Sequence, residues 1–156
     1  MAADTTHEEV YETWLLIQRT AYDIRRLREY ELQRDTGITM SQAAALLALK
    51  SAKEPLTPSD LARVMQRQAH SVHEMINRME KDGLVRKVRH TAWKRKVFVE
   101  LTALGEETHR RAKDMRLSYD IISSLSARKR SSLRSHLQKL RLKALTELVI
   151  MRKGDV

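Results

Sequence analysis

Cysteine is absent from the 156-residue sequence, which excludes disulfides, thiolate metal sites and thiol-based redox sensing. Turn-forming residues are scarce: four glycines and two prolines punctuate a chain that is 42% hydrophobic and 32% charged. Such a composition favours long helices joined by few turns. Long apolar runs are missing as well, the longest being the seven residues AAALLAL at Ala43 to Leu49. That run is too short to span a bilayer, and the N-terminal MAADTTHEEVYETW is acidic without an apolar core. The expectation is a cytoplasmic protein with no membrane partner. Catalytic signatures are lacking too: there is no glycine-rich phosphate loop, no nucleophile elbow, and no paired carboxylates near a histidine in a credible pocket. Neither an enzyme nor a cofactor is expected.

What is present is positive charge. Thirty Lys and Arg against twenty Asp and Glu leave a formal net charge of +10, with a pI near 10.1. That balance favours a polyanionic partner. The length suits one ordinary domain extended by helical arms.

Periodicity orders the chain. Val10, Trp14, Ile17, Ala21 and Ile24 recur at alternating steps of four and three, the stripe of a helix that packs on other helices and runs to about Leu32. Thr39 with Gln42 forms a capping box opening SQAAALLALKSA, and Thr57 with Pro58 opens the short helix PSDLARVMQ. In QAHSVHEMINRMEKDG the spacing puts Ala69, Val72, Ile76 and Met79 on one face, and Gly83 ends the helix. The period then changes. LVRKV and KVFVEL flank the polar RHTAWKR, a two-stranded hairpin with a long basic tip. Thr102 caps a further helix running to about Leu125, and a last helix after Ser126 carries Leu133, Leu137, Leu140 and Leu148 at helical spacing.

Three short helices followed by a basic hairpin describe a winged helix-turn-helix. From Arg86 to Lys96 there are six basic residues and no acid. The segments LTPSDLARVM, VHEMINRMEKDGLVRKV and KRKVFVELTALGEE together resemble the multiple antibiotic resistance regulator (MarR) family of bacterial transcription factors. The likeness covers about residues 8 to 150. It implies a mainly α fold with a small β-hairpin wing, in which residues 8–35 and 103–152 form a helical dimerisation region and residues 38–102 the DNA-binding lobe. It further implies a homodimer on a palindromic operator, acting as a repressor that releases double-stranded DNA when a small aromatic or anionic effector binds. Gln68, His70, His73 and Glu74 depart from the family's usual residues at the recognition helix, and Trp93 replaces its wing aspartate. The operator sequence is therefore not carried over.

Gln68, His70, Ser71, His73 and Asn77 are donors and acceptors suited to base edges or phosphates, and Arg78 joins them on the same helix. Glu74 either accepts from cytosine or pairs with Arg78 one turn on, the second being preferred. In the wing, Arg95 aligns with the family arginine that enters the minor groove, where a guanidinium gains from the enhanced negative potential. Lys94, Lys96, Arg86 and Arg89 are either phosphate contacts or solvated charges, and Trp93 either packs within the hairpin or lies against a sugar, the first being preferred. Trp14, Tyr22 and Tyr119 border an effector cavity if they are not simply packing residues. Two alternatives stand beside the regulator: a metal-binding or metal-sensing protein using His70, His73 and Glu74, and an architectural protein binding DNA without sequence preference.

Overall fold

A computed structural model describes residues 2–89 and 96–154, and the chain divides into two units, Met1–Met115 and Arg116–Val156. The described residues form seven helices and one two-stranded sheet: α1 (Ala2–Thr36), α2 (Met40–Ser51), α3 (Pro58–Val64), α4 (Ala69–Lys81), β1 (Val85–Arg89), β2 (Val97–Leu101), α5 (Ala103–Ala112), α6 (Arg116–Ser123) and α7 (Ala127–Gly154). The mainly helical winged helix-turn-helix is thus observed. The first unit holds α1 to α5 with the sheet, the second α6 and α7.

Local chemistry starts and stops the central helices. Thr39 Oγ1 accepts from the Gln42 amide while Gln42 Oε1 accepts from the Thr39 amide at 2.9 Å, closing the box that opens α2. Thr57 and Asp60 repeat it at α3, where Pro58 occupies the first turn. At the end of α4 the Gly83 amide donates to Glu80 O and the Leu84 amide to Met79 O at 2.8 Å, with Gly83 at φ +72°. These paired bonds need a left-handed residue, which glycine supplies without a Cβ penalty. The turn between α3 and α4 uses Gln66 at φ 52° instead.

The core of the first unit gathers Leu46, Leu61, Val72, Ile76, Met79, Leu84, Val85 and Val99 from five elements. On α4 the buried residues are Val72, Met75, Ile76 and Met79, whereas Ala69 is exposed. Ala69 sits in the first turn, ahead of the packed stretch, and Met75 fills the core side in its place. β1 and β2 pair antiparallel with Val85 opposite Leu101 and Arg89 opposite Val97. Leu56 adds an isolated bridge to Val99, whose amide donates to Leu56 O at 2.9 Å.

Two helices differ from the sequence expectation. α1 extends beyond Val10 to Leu32 in both directions, because flanking Glu8, Glu9, Gln33 and Arg34 are good helix formers. The helix expected from Thr102 to about Leu125 is instead broken into α5 and α6. A side chain from α1 accounts for the break: Arg28 Nη1 donates to Asp114 O at 3.3 Å and Nη2 to Ala112 O, taking carbonyls that a continuous helix would use internally. Arg28 also pairs at 2.9 Å with Glu31, which is fully buried. Arg111 of α5 reciprocates by donating to Asp35 O at the end of α1. Each arginine lies at the negative end of the other's helix.

In the second unit α7 carries Leu133, Leu137, Leu140 and Leu148 between 44% and 54% exposed. On α1, Val10 and Trp14 are likewise more than half exposed.

Candidate nucleic-acid interface

Four residues of α4 recur at i, i+4, i+7 and i+11 opposite the buried stripe: His70, Glu74, Asn77 and Lys81, all exposed. On one side lie Ser71 and Arg78, which line a groove of about 500 Å³ with Thr39, Gln42 and Arg67. On the other lies His73, which lines a second groove of about 580 Å³ with Asp60, Lys87 and Lys96. The wing is therefore alongside the recognition helix, joined to it by the Schellman turn at Gly83.

Gln68 occupies the N-cap of α4 without a side-chain cap bond. The first-turn amides are left to solvent or to an anion, and this end of a helix attracts negative charge. His70, Ser71, His73, Asn77 and Arg78 are brought onto one outward surface with Lys96 at its border. Lys94 and Arg95, with Trp93 and His90, lie outside the described residues.

Carboxylates divide the donors of this surface. Glu74 Oε1 meets His70 Nε2 at 3.2 Å, so the carboxylate runs one turn back instead of forward to Arg78. Both spacings are i, i+4, and the sequence alone does not choose between them. Arg86 is held across the sheet by Glu100 at 2.8 Å. Lys87 is held by Glu80, whose carboxyl lies below the usual range because the Lys87 side chain and then its backbone amide donate to it. Lys87 Nζ donates onward to Asn77 Oδ1 at 2.5 Å. Sequence reasoning missed Glu80 altogether; its signal was an acid one turn before the helix stop, facing the first wing strand.

Among the described residues no three His, Cys, Asp or Glu are placed to hold a metal ion. The His70–Glu74 pair lies on an exposed helix surface, with the His70 side chain 83% exposed. Of the aromatic residues expected to border an effector, Trp14 and Tyr22 lie on α1 and Tyr119 on α6. Trp14 stacks on Tyr11 with ring centroids 5.9 Å apart, and Tyr22 carries the Arg26 guanidinium 5.7 Å from its ring. Eight residues of helix separate Trp14 from Tyr22, about 12 Å along the axis. Tyr119 is 70% exposed on α6. Neither groove beside α4 is lined by them.

Among the described residues, one histidine is buried away from this surface. His109 on α5 is 5% exposed and its Nε2 has no hydrogen-bond partner among the described residues. Burial, helped by the nearby Lys113 and Lys50 and opposed by Glu106, holds its imidazole below the usual range.

Residues 36–96 match the sequence profile of the MarR family. Among solved structures, the fold is similar to a MarR family protein from Bacillus stearothermophilus, with 25% identity and a TM-score of 0.72 over 89% of this chain and 97% of that one. It is similar to the organohalide-sensing transcriptional regulator RdhR, solved with 2,4-dichlorophenol bound, at 28% identity and a TM-score of 0.71 over 86% of this chain and 80% of that one. It also resembles MepR, a transcription regulator of the Staphylococcus aureus multidrug efflux pump MepA, at 19% identity and a TM-score of 0.69 over 83% of this chain and 96% of that one. No curated protein sequence matches.

Proposed function

The chain belongs to the MarR family of winged helix-turn-helix transcription regulators, and from that premise we propose that it works as a homodimer recognising a palindromic operator, represses from it, and responds to a small ligand. It is a DNA-binding regulator and not an enzyme. No helix among the described residues is long and apolar enough to cross a membrane.

The observation that carries this reading is the outward stripe of α4. A polar row of His70, Glu74, Asn77 and Lys81 stands opposite an apolar row buried in the lobe, with Gln68 leaving the helix start open. An α-helix presented in this way fits the major groove, and its outward side chains address base edges and phosphates. Gln68, His70, Ser71, His73, Asn77 and Arg78 are assigned to that contact, with Lys94 and Lys96 to the phosphates and Arg95 to the minor groove. Residues 38–102 form the DNA-binding lobe, and residues 8–35 with 103–152 the dimerisation region. The exposed apolar residues of α1 and α7 support this division, since solvated stripes of this length seek a partner surface. Double-stranded DNA and a second copy of the chain are the partners. The 2,4-dichlorophenol bound to the organohalide-sensing relative supports an aromatic or anionic effector, for which Trp14, Tyr22 and Tyr119 are the contact residues.

The test is capture of fragments of the source genome by the full-length protein in excess unrelated DNA. One or a few operators are expected, bound with an affinity that falls roughly 10³- to 10⁵-fold between 50 and 200 mM salt for about 6–10 phosphate contacts. Arg95→Ala weakens binding to them. Equal affinity for all duplexes identifies an architectural protein instead, and tightly held stoichiometric metal lost in His70→Ala identifies a metal-binding one.

A further inference from the structure

The stripe that faces outward on α4 contains one residue whose hydrogen-bonding sense is set from the wing. An asparagine amide carries an acceptor oxygen and two donor N–H groups, and a half-turn about its last bond exchanges them. Asn77 Oδ1 lies 2.5 Å from Lys87 Nζ. An ammonium has donors only, so the amide atom facing it is the oxygen, and the Nδ2 hydrogens point elsewhere. Lys87 is in turn anchored at two points by Glu80: its backbone amide donates to Oε1 at 3.0 Å and its Nζ lies 2.9 Å from Oε2. The relay leaves the last turn of α4, crosses to the first wing strand, and returns to the exposed stripe one turn earlier.

We propose that Glu80 and Lys87 are positioning residues that present Asn77 to DNA as a donor only, so that it selects guanine over adenine at its base position. The inference rests on the regulator reading given above. In the major groove adenine offers an N7 acceptor beside an N6 amino donor, and bidentate pairing with asparagine needs the amide oxygen to accept from that amino group. Here the oxygen already accepts from a cation, and its remaining lone pair lies beside a positive charge that repels amino hydrogens. Guanine offers N7 and O6, both acceptors, which the free N–H groups satisfy and which the ammonium favours. Glu80 neither faces the base nor touches it. Its part is to hold Lys87 against Asn77 instead of letting the lysine swing to a phosphate.

Selection of bound duplexes from a randomised pool, using the full-length protein, tests this with base identity as the readout. The wild type is expected to select guanine at one position in each half-site. Lys87→Met frees the oxygen and shifts that position toward adenine by about 5- to 150-fold in relative affinity, the span of one good bidentate pair. Lys87→Arg, still a pure donor, keeps guanine, and the exposed Asn77→Ala binds with no purine preference there. The proposal is overturned if wild type and Lys87→Met select the same bases throughout; should the methionine variant not fold, a guanine preference that survives Asn77→Ala overturns it equally. A wild type that selects no sequence at all overturns the regulator reading, and this inference with it.

Discussion

Gly105 lies in the first turn of α5, three residues after the Thr102 cap, where an alanine would ordinarily strengthen a helix by about 1 kcal/mol. Here the sign reverses. A Cβ built on Gly105 would stand 2.0 Å from the Leu84 carbonyl oxygen and 3.0 Å from its carbon. The obstructing atom is backbone, at the root of the wing, and cannot rotate away as a side chain would. That same carbonyl accepts from the Thr102 amide at 3.1 Å, while Thr102 Oγ1 donates to Gly83 O and accepts from the Gly105 amide at 3.0 Å. Moving α5 away by the ångström required therefore strains the cap and these bonds together. Overpacking costs about 1–3 kcal/mol, and a weakened cap with its neighbouring hydrogen bond about 1–2 more. Less the gain in propensity, Gly105→Ala is expected to destabilise by about 1–4 kcal/mol. Urea unfolding followed by circular dichroism, at one fixed protein concentration, should show the midpoint falling by about 0.5–2 M with little change in slope. An unchanged or raised midpoint would refute the reasoning, because it would mean that the close approach to Leu84 is not maintained in solution.

Arg28→Met removes the cation from fully buried Glu31 and the donor from Ala112 O and Asp114 O, and should destabilise by about 3–5 kcal/mol; denaturant melts that find less than 1 would show the clasp to be unimportant. His109 is depressed in the fold relative to an unfolded value of about 6.5, so the unfolded chain takes up a proton first as pH falls. Stability should therefore decline from about pH 7 toward pH 5, by at most about 1.4 kcal/mol per unit, and His109→Leu should flatten that slope, as thermal melts across the range will record. The carboxyls held low by their partners, Asp35, Asp60, Glu80 and Glu107, lose their contribution only at more acid pH, leaving the histidine window distinct. At Gln66 the left-handed backbone costs about 1–2 kcal/mol for an L side chain, and Gln66→Gly recovers part of it; Gln66→Val, with a branched Cβ, should melt lower than either.

What could be read from the sequence was the chemistry of near neighbours. Thr39 with Gln42, Thr57 with Pro58, and Gly83 each act within four residues, so their caps and stops were visible as spacings. The apolar row of α4 was nearly correct for the same reason, and it erred at Ala69 and Met75 because whether a first-turn residue is covered depends on the next helix. The broken helix after Thr102 was hidden: its cause is Arg28, 84 residues before the Ala112 carbonyl it bonds. The recognition surface was legible as residue types and not as a hydrogen-bond pattern. Asn77, Glu80 and Lys87 were each in plain sight, but only the turn at Gly83 brings the strand back beside the helix so that they meet.

The two small contacts at the root of the wing have a consequence for how this protein behaves in crowded solution. A two-stranded sheet has two open edges, and an open edge is a template for pairing with another chain. The amide of Val99 faces outward from β2 and is taken by Leu56 O, and the amide of Lys87 faces outward from β1 and is taken by Glu80. One edge is thus closed by backbone and the other by a carboxylate, at directly opposed positions of the ladder. A neighbouring strand that tried to extend the sheet here would find both donors already engaged, and the wing root is protected from edge-to-edge aggregation.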